Sequence, residues 1–273
     1  MNDNLVFHYC DVSTALLILK NKQIWMTSIR NLNDGNESIG VYKLFFDLLE
    51  KYDSEKCLNP MIEYSRRPGV IQLYEKPLGA YPEYVACFSK NPDSISQWIA
   101  YADNGQGIAI GFDETEFINI TSESALQYRS VSYIRDEDIQ QHIPYIYKHL
   151  KSNIHVSKSD MMDIAMEQIK RIYPLGIDHK TMHYESECER RIIYDNYPEE
   201  IKNLPNGWKI EKIDTYAKKN LINTYIPLCF PKEVIRKIIT GPKYQKNYYE
   251  VEGAMEALGY TEVEICNSTS NYR

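Results

Sequence analysis

Most of the short motifs that announce a function are missing from this 273-residue chain. It has no Gly-x-x-x-x-Gly-Lys-Ser/Thr, which argues against a P-loop nucleotidase, no His-Glu-x-x-His and no Gly-x-Ser-x-Gly elbow. Gly105-Gln106-Gly107 falls between a predicted helix and a predicted strand, the wrong order for a dinucleotide-binding turn; it reads as a helix C-cap plus turn. The six cysteines are scattered without a Cys-x-x-Cys pair, as expected of reduced thiols in a cytoplasmic protein. His179 and His183 are four apart, but the pattern around them reads as loop then strand, so no metal site is expected. No apolar run approaches the roughly 20 residues that cross a bilayer. The opening Met-Asn-Asp-Asn lacks the basic and apolar regions of a secretion signal. A net charge of −7 disfavours sequence-independent nucleic-acid binding over the whole surface, although Lys148, Lys151, Lys158 and Arg171 could form a local basic patch.

What is present is an ordinary globular composition, 43% hydrophobic and 25% charged, with 23 tyrosines. Residues 5–9, 23–27, 84–89, 107–112, 128–133 and 224–228 read as strands, and 261–266 as a strand that could close the sheet. Helices are predicted from Asp11 or Ser13 to about Lys20, over 37–52, from Pro92 to about Asn104, over most of 135–172, over 231–238 and over 248–258. Strands and helices alternate irregularly, without βαβ repeats. The expected class is therefore α+β, a mixed sheet flanked by helices, in one domain over 1–273, since no linker or repeat divides the chain. Residues 54–82 are irregular and proline-broken, and could fold over a site as a lid.

The densest chemistry lies in Tyr184-Glu-Ser-Glu-Cys-Glu-Arg-Arg-Ile-Ile-Tyr-Asp195. In an extended backbone Glu185, Glu187, Glu189 and Arg191 would share one face, neighbours about 7 Å apart. Carboxylates that close repel unless water or a cation relieves them. The plain structural reading is a solvated strand face paired with Arg190, Arg191 and Lys180. The functional reading is glycosyl chemistry, in which an oxocarbenium-like centre needs negative charge beside it.

Several further pieces occur in order: His8-Tyr9, Trp25 with Ser28, Asn33-Asp34 with Glu37, Cys87-Phe88-Ser89, Trp98 with Tyr101-Ala102, Gly107–Phe112, Tyr184-x-x-Glu187-x-Glu189-x-Arg191, and the closing Ser268–Arg273. Together they resemble a bacterial family of unknown function, DUF2971, over nearly the whole chain. Tyr184 is a departure, since the family more often has tryptophan there. That family is similar, distantly, to ADP-ribosyltransferases, which implies a split-sheet core of their kind and NAD as substrate, without a metal. By matching motif, the resemblance gives His8 the adenosine-side ribose and Glu189 the nicotinamide ribose, with Glu187 facing the acceptor. Ser28 takes the middle motif, and Tyr9 and Trp25 line the same pocket. Arg191 neutralises the acids or reaches a phosphate. The resemblance further implies transfer of ADP-ribose to a protein or nucleic-acid acceptor, a toxin or phage-defence effector, and a partner antitoxin or regulator. NAD glycohydrolase activity and a catalytically inert nucleotide-binding or interaction module are the alternatives. No membrane role is implied.

Overall fold

A computed structural model describes residues 4–29, 37–67, 70, 83–122, 124–172, 179–194, 202–218, 221–245 and 248–272. Asn33 and Asp34 lie outside these residues, as do 68–69 and 71–82 of the segment expected to form a lid. The chain divides into two compact units, one comprising Met1–Leu32, Tyr81–Ser130 and Ser186–Arg273, the other Asn33–Ala80 and Val131–Glu185. The sequence leads one to expect a single domain, because the two units interleave and no single linker separates them.

The strands are β1 (Leu5–Cys10), β2 (Gln23–Ser28), β3 (Tyr84–Ser89), β4 (Ile108–Asp113), β5 (Leu126–Ser130), β6 (Ser132–Ile134), β7 (His179–Thr181), β8 (Glu189–Tyr194), β9 (Lys202–Asn203), β10 (Lys209–Ile210), β11 (Asp214–Lys218), β12 (Leu221–Cys229), β13 (Ile235–Thr240) and β14 (Glu264–Asn267). All but β6 and β7 join one mixed sheet in the first unit, antiparallel except for the β13–β14 pair. The expectation of a mixed sheet flanked by helices is met.

The sheet splits at β3. One edge of β3 pairs along its length with β8, which continues to β5. The other edge is shared: Ser89 pairs with Phe7 of β1, whereas Val85 and Tyr84 pair with Thr27 and Ser28 of β2. β1 leads on to β4, β13 and β14; β2 leads to β12. The helix Val12–Asn21 connects the diverging strands, and Asp11 caps it by accepting the Thr14 N–H at 2.9 Å.

Alternation along the strands sorts side chains onto two faces. Val6, Cys10, Ile24, Met26, Tyr84, Ala86, Phe88, Ile110, Phe112, Ile192, Tyr194, Ile226 and Leu228 share the main core with Phe117 of the helix Glu114–Ser122. On the second face, Leu5, Phe7, Tyr9, Ala109 and Ile239 pack with Trp98 of the helix Ile95–Tyr101. The predicted helix over 231–238 is instead a short 3-10 turn followed by β13. Apolar residues at 234, 235, 238 and 239 suit either period, and the β-branched Val234, Ile235, Ile238, Ile239 and Thr240 favour the strand.

The second unit contains the helices Glu37–Tyr52, Asn59–Ser65, Asp136–Gln140, Ile143–Lys151 and Lys158–Ile172 and the parallel β6–β7 pair. Its core is built from residues such as Phe45, Phe46, Leu49, Met61, Ile146, Leu150 and Met162. Of the lysines read as a basic patch, Lys148 and Lys158 are exposed and Lys151 pairs with Glu55 at 2.7 Å.

Candidate functional site

β8 does not begin where its acidic pattern begins. Met182–Glu187 forms a 3-10 helix, and Cys188 has φ +46°, a left-handed conformation that side chains other than glycine adopt at a cost. The strand starts at Glu189. Glu185, Glu187, Glu189 and Arg191 therefore do not form one row: only Glu189 and Arg191 alternate onto a common strand face. There they form a fork. Arg191 Nε donates to Glu189 Oε1 at 2.7 Å and its Nη2 to Oε2 at 3.1 Å. Both are buried, at 5% exposure for Glu189 and 1% for Arg191, so the charges interact in a medium that screens them weakly.

Glu187 is held separately. Its carboxylate accepts from the Tyr101 hydroxyl at 3.2 Å, and its carbonyl accepts from the Ser89 hydroxyl at 2.6 Å. The Lys90 N–H donates to the Cys188 carbonyl at 2.9 Å, fixing the turn between the two acids. Ser89 pairs with Phe7 on one side and Glu189 on the other, so one cross-strand row joins β1, β3 and β8 at the carboxylates.

This row also sorts the first-strand residues by face. Phe7, Ser89 and Glu189 share a face, as do Leu5 and Tyr9, whereas His8 alternates to the opposite face, that of Val6 and Phe88. His8 and Glu189 are not brought together. The His8 Nδ1 lies 3.0 Å from the Cys87 carbonyl, at the point where β1 leaves β3, and its ring meets Phe88 edge-on at 5.9 Å. Since a carbonyl only accepts, Nδ1 carries the proton. Burial lowers the His8 pKa, and the Cys87 contact only partly opposes this, so the ring favours its neutral form.

Tyr9 does face the carboxylate side. Its hydroxyl donates to the Asn91 carbonyl at 2.7 Å and accepts from the Ser94 N–H at 3.1 Å. Burial pushes its pKa well above the ordinary phenol value, which keeps it a donor. Trp25 lies on the same face but on the other branch of the split, 39% exposed and stacked on Tyr225 at 3.9 Å. Ser28 pairs with Tyr84, faces the main core and sits five β3 positions, about 17 Å, from Ser89, so it is not brought to Glu189. The serine that pairs with Glu189 is Ser89. The signal for it, Cys87-Phe88-Ser89, is in the sequence, but only strand pairing shows which serine meets the acid.

Residues 97–192 match the model of a family described as protein of unknown function (DUF2971). The resemblance is borne out over that stretch. It runs from Gln97 to Ile192 and takes in Trp98, Tyr101, Glu187, Glu189 and Arg191, but neither the β1 and β2 residues nor 268–273, a narrower extent than the ordered motifs suggest. No curated protein and no solved structure matches the chain. Among the described residues, no group of three or more His, Cys, Asp or Glu side chains is arranged to hold a metal ion, and no helix is long and apolar enough to cross a membrane.

Proposed function

We infer that this protein is an NAD-dependent ADP-ribosyltransferase acting on a macromolecular acceptor, with its chemistry at Glu187 and Glu189. The observation that carries this reading is the cross-strand row at the sheet split, where Ser89 sits beside Glu189 and holds the carbonyl of Glu187. Cleavage of the nicotinamide–ribose bond leaves a ribosyl cation. A fixed carboxylate on the 2-hydroxyl stabilises that charge as it develops, because it gains most in the transition state. Glu189 is suited to this, since the Arg191 fork fixes its orientation. Glu187, on a separate turn and bonded to Tyr101, faces the acceptor and takes its proton. In this reading Tyr9, not His8, is the β1 residue on the NAD side, and His8 locks the split.

The test is incubation with NAD labelled in its adenylate half and a cell lysate, for the parent and Glu189→Gln. The reading expects label on a macromolecule with the parent and none with the variant; equal NAD consumption by both would refute the role of Glu189. Label lost from NAD without transfer identifies a glycohydrolase. One observation favours the inert-module alternative: Glu189 is almost wholly buried and already satisfied by Arg191. A rise in melting temperature with NAD, without turnover, would decide for that module.

A further inference from the structure

Asp93 lies in the loop after β3 and gathers five donor contacts. Its Oδ1 accepts from Trp98 Nε1 at 2.7 Å and from the Ser268 hydroxyl at 2.5 Å. Its Oδ2 accepts from the Thr269 N–H at 2.7 Å, the Thr269 hydroxyl at 2.9 Å and the Ser270 N–H at 3.1 Å. Burial alone would raise the Asp93 pKa, but the donors from Ser268, Trp98 and Thr269 outweigh it and hold the carboxyl below its ordinary range. The clamp therefore belongs to the charged form. Farther on, the Tyr272 hydroxyl donates to Asn104 Oδ1 at 2.6 Å, and Lys243 Nζ lies 3.8 Å from the centre of the Tyr272 ring. Segment 268–272 is thus strapped across the 90–94 loop and the 103–105 turn. That turn is itself unusual, with φ of +47°, +56° and +89° at Asp103, Asn104 and Gly105.

From Asp93 the contacts run on to the carboxylates. Trp98 meets Tyr9 edge-on at 4.7 Å, and Tyr9 holds Asn91 and Ser94. The Asn91 N–H donates to the Ser89 hydroxyl at 3.1 Å, and that hydroxyl donates to the Glu187 carbonyl. We propose that segment 268–272 is a positioning element for the Glu187–Glu189 site, acting through Asp93 and residues 89–94. Only the kinetic part of its test rests on the proposed function.

Two variants loosen the strap: Asp93→Asn, and the milder Ser268→Ala/Thr269→Ala. Amide hydrogen exchange is read over 90–94, over 186–190 and in β4 as an internal reference. The expected result is exchange faster by about tenfold at both 90–94 and 186–190, a local opening free energy reduced by about 1.4 kcal/mol, with β4 unchanged. A rise confined to 90–94, or no rise at all, overturns the proposal. Should Asp93→Asn fail to fold, the double alanine variant carries the same outcomes. In NAD consumption, kcat should fall while KM holds. A parent that consumes no NAD defeats the proposed function and leaves the exchange result to stand by itself.

Discussion

The Glu189–Arg191 fork is the place to strike the structure hardest with the least change of shape. Replacing Arg191 with Met keeps an unbranched side chain, though a shorter one, and leaves the Glu189 carboxylate buried without the guanidinium that faces both its oxygens. Breaking a buried pair from one side costs about 3–5 kcal/mol, chiefly because the remaining charge stays desolvated. For a chain of this size each kcal/mol moves the midpoint by roughly 2–4 °C, so Arg191→Met should melt about 6–20 °C below the parent. Glu189→Gln belongs to the same class, because it removes the carboxylate that the Arg191 guanidinium faces. The double variant Glu189→Gln/Arg191→Met strands neither charge. Its cost should fall short of the summed single costs by about 2–3 kcal/mol, the coupling expected of groups in direct contact. The assay is thermal and urea unfolding of the four proteins at one pH and salt concentration. Single variants within about 2 °C of the parent, or a double variant that equals the sum to within about 0.5 kcal/mol, would show that the pair is not the desolvated fork described.

His8→Asn keeps an N–H for the Cys87 carbonyl and removes the titrating ring. Because the folded pKa of His8 lies below its unfolded value, its contribution is fully present above about pH 6.5 and declines as pH falls below it. Urea unfolding from pH 7.5 to 5 should therefore show a shallower acid loss in the variant, by up to about 1.4 kcal/mol per pH unit; parallel curves would refute the buried neutral imidazole. At Gly107 a Cβ would lie 2.2 Å from the Cys10 carbonyl oxygen, a backbone atom that cannot turn aside, so Gly107→Ala should lose soluble yield. Gly253 has nothing within 4 Å and lies in the helix Tyr248–Ala257, so Gly253→Ala should raise stability by about 0.5–1 kcal/mol in the same unfolding assay. Ser89→Ala takes the donor from the Glu187 carbonyl and should cost about 1–3 kcal/mol, together with a loss of NAD turnover larger than that caused by Ser28→Ala. Equal effects of the two serines on turnover would reject a role for Ser89 in the proposed site.

The elements that were legible are those whose pattern is local and single-valued. β3 and β4 are apolar runs too short for helices, and the helix Tyr248–Ala257 closes close to its expected end. The acidic strand was legible in its chemistry and misjudged in its start, because nothing in Ser-Glu-Cys-Glu signals that Cys188 takes a left-handed backbone. Which residues meet Glu189 was not legible at all. Ser28 and Ser89 each end a strand, and only the register of β3 against β8, set by contacts about a hundred positions apart, selects the second. The same register separates His8 from Glu189, since a shift of one residue exchanges the two faces of a strand.

Three locally unfavourable choices converge at the head of β8. A cysteine adopts φ +46°, an arginine and a glutamate are buried together, and a buried serine spends its hydroxyl on the Glu187 carbonyl. Two of the three have a cheaper substitute: glycine at position 188, and matched apolar side chains at 189 and 191, an exchange that is often neutral or stabilising for a buried ion pair. A fold selected for stability alone would be expected to accept at least one of them. The main core shows the opposite choice, with apolar side chains at nearly every inward position of β1, β2, β3, β4 and β12. Local rules broken together in one place are what a site would produce, because such violations concentrate where geometry serves chemistry. If the Glu189→Gln/Arg191→Met protein kept the NAD turnover of the parent, the fork would be an expendable charge pair, and the case for a functional site would then rest on Glu187 and its two hydroxyl partners.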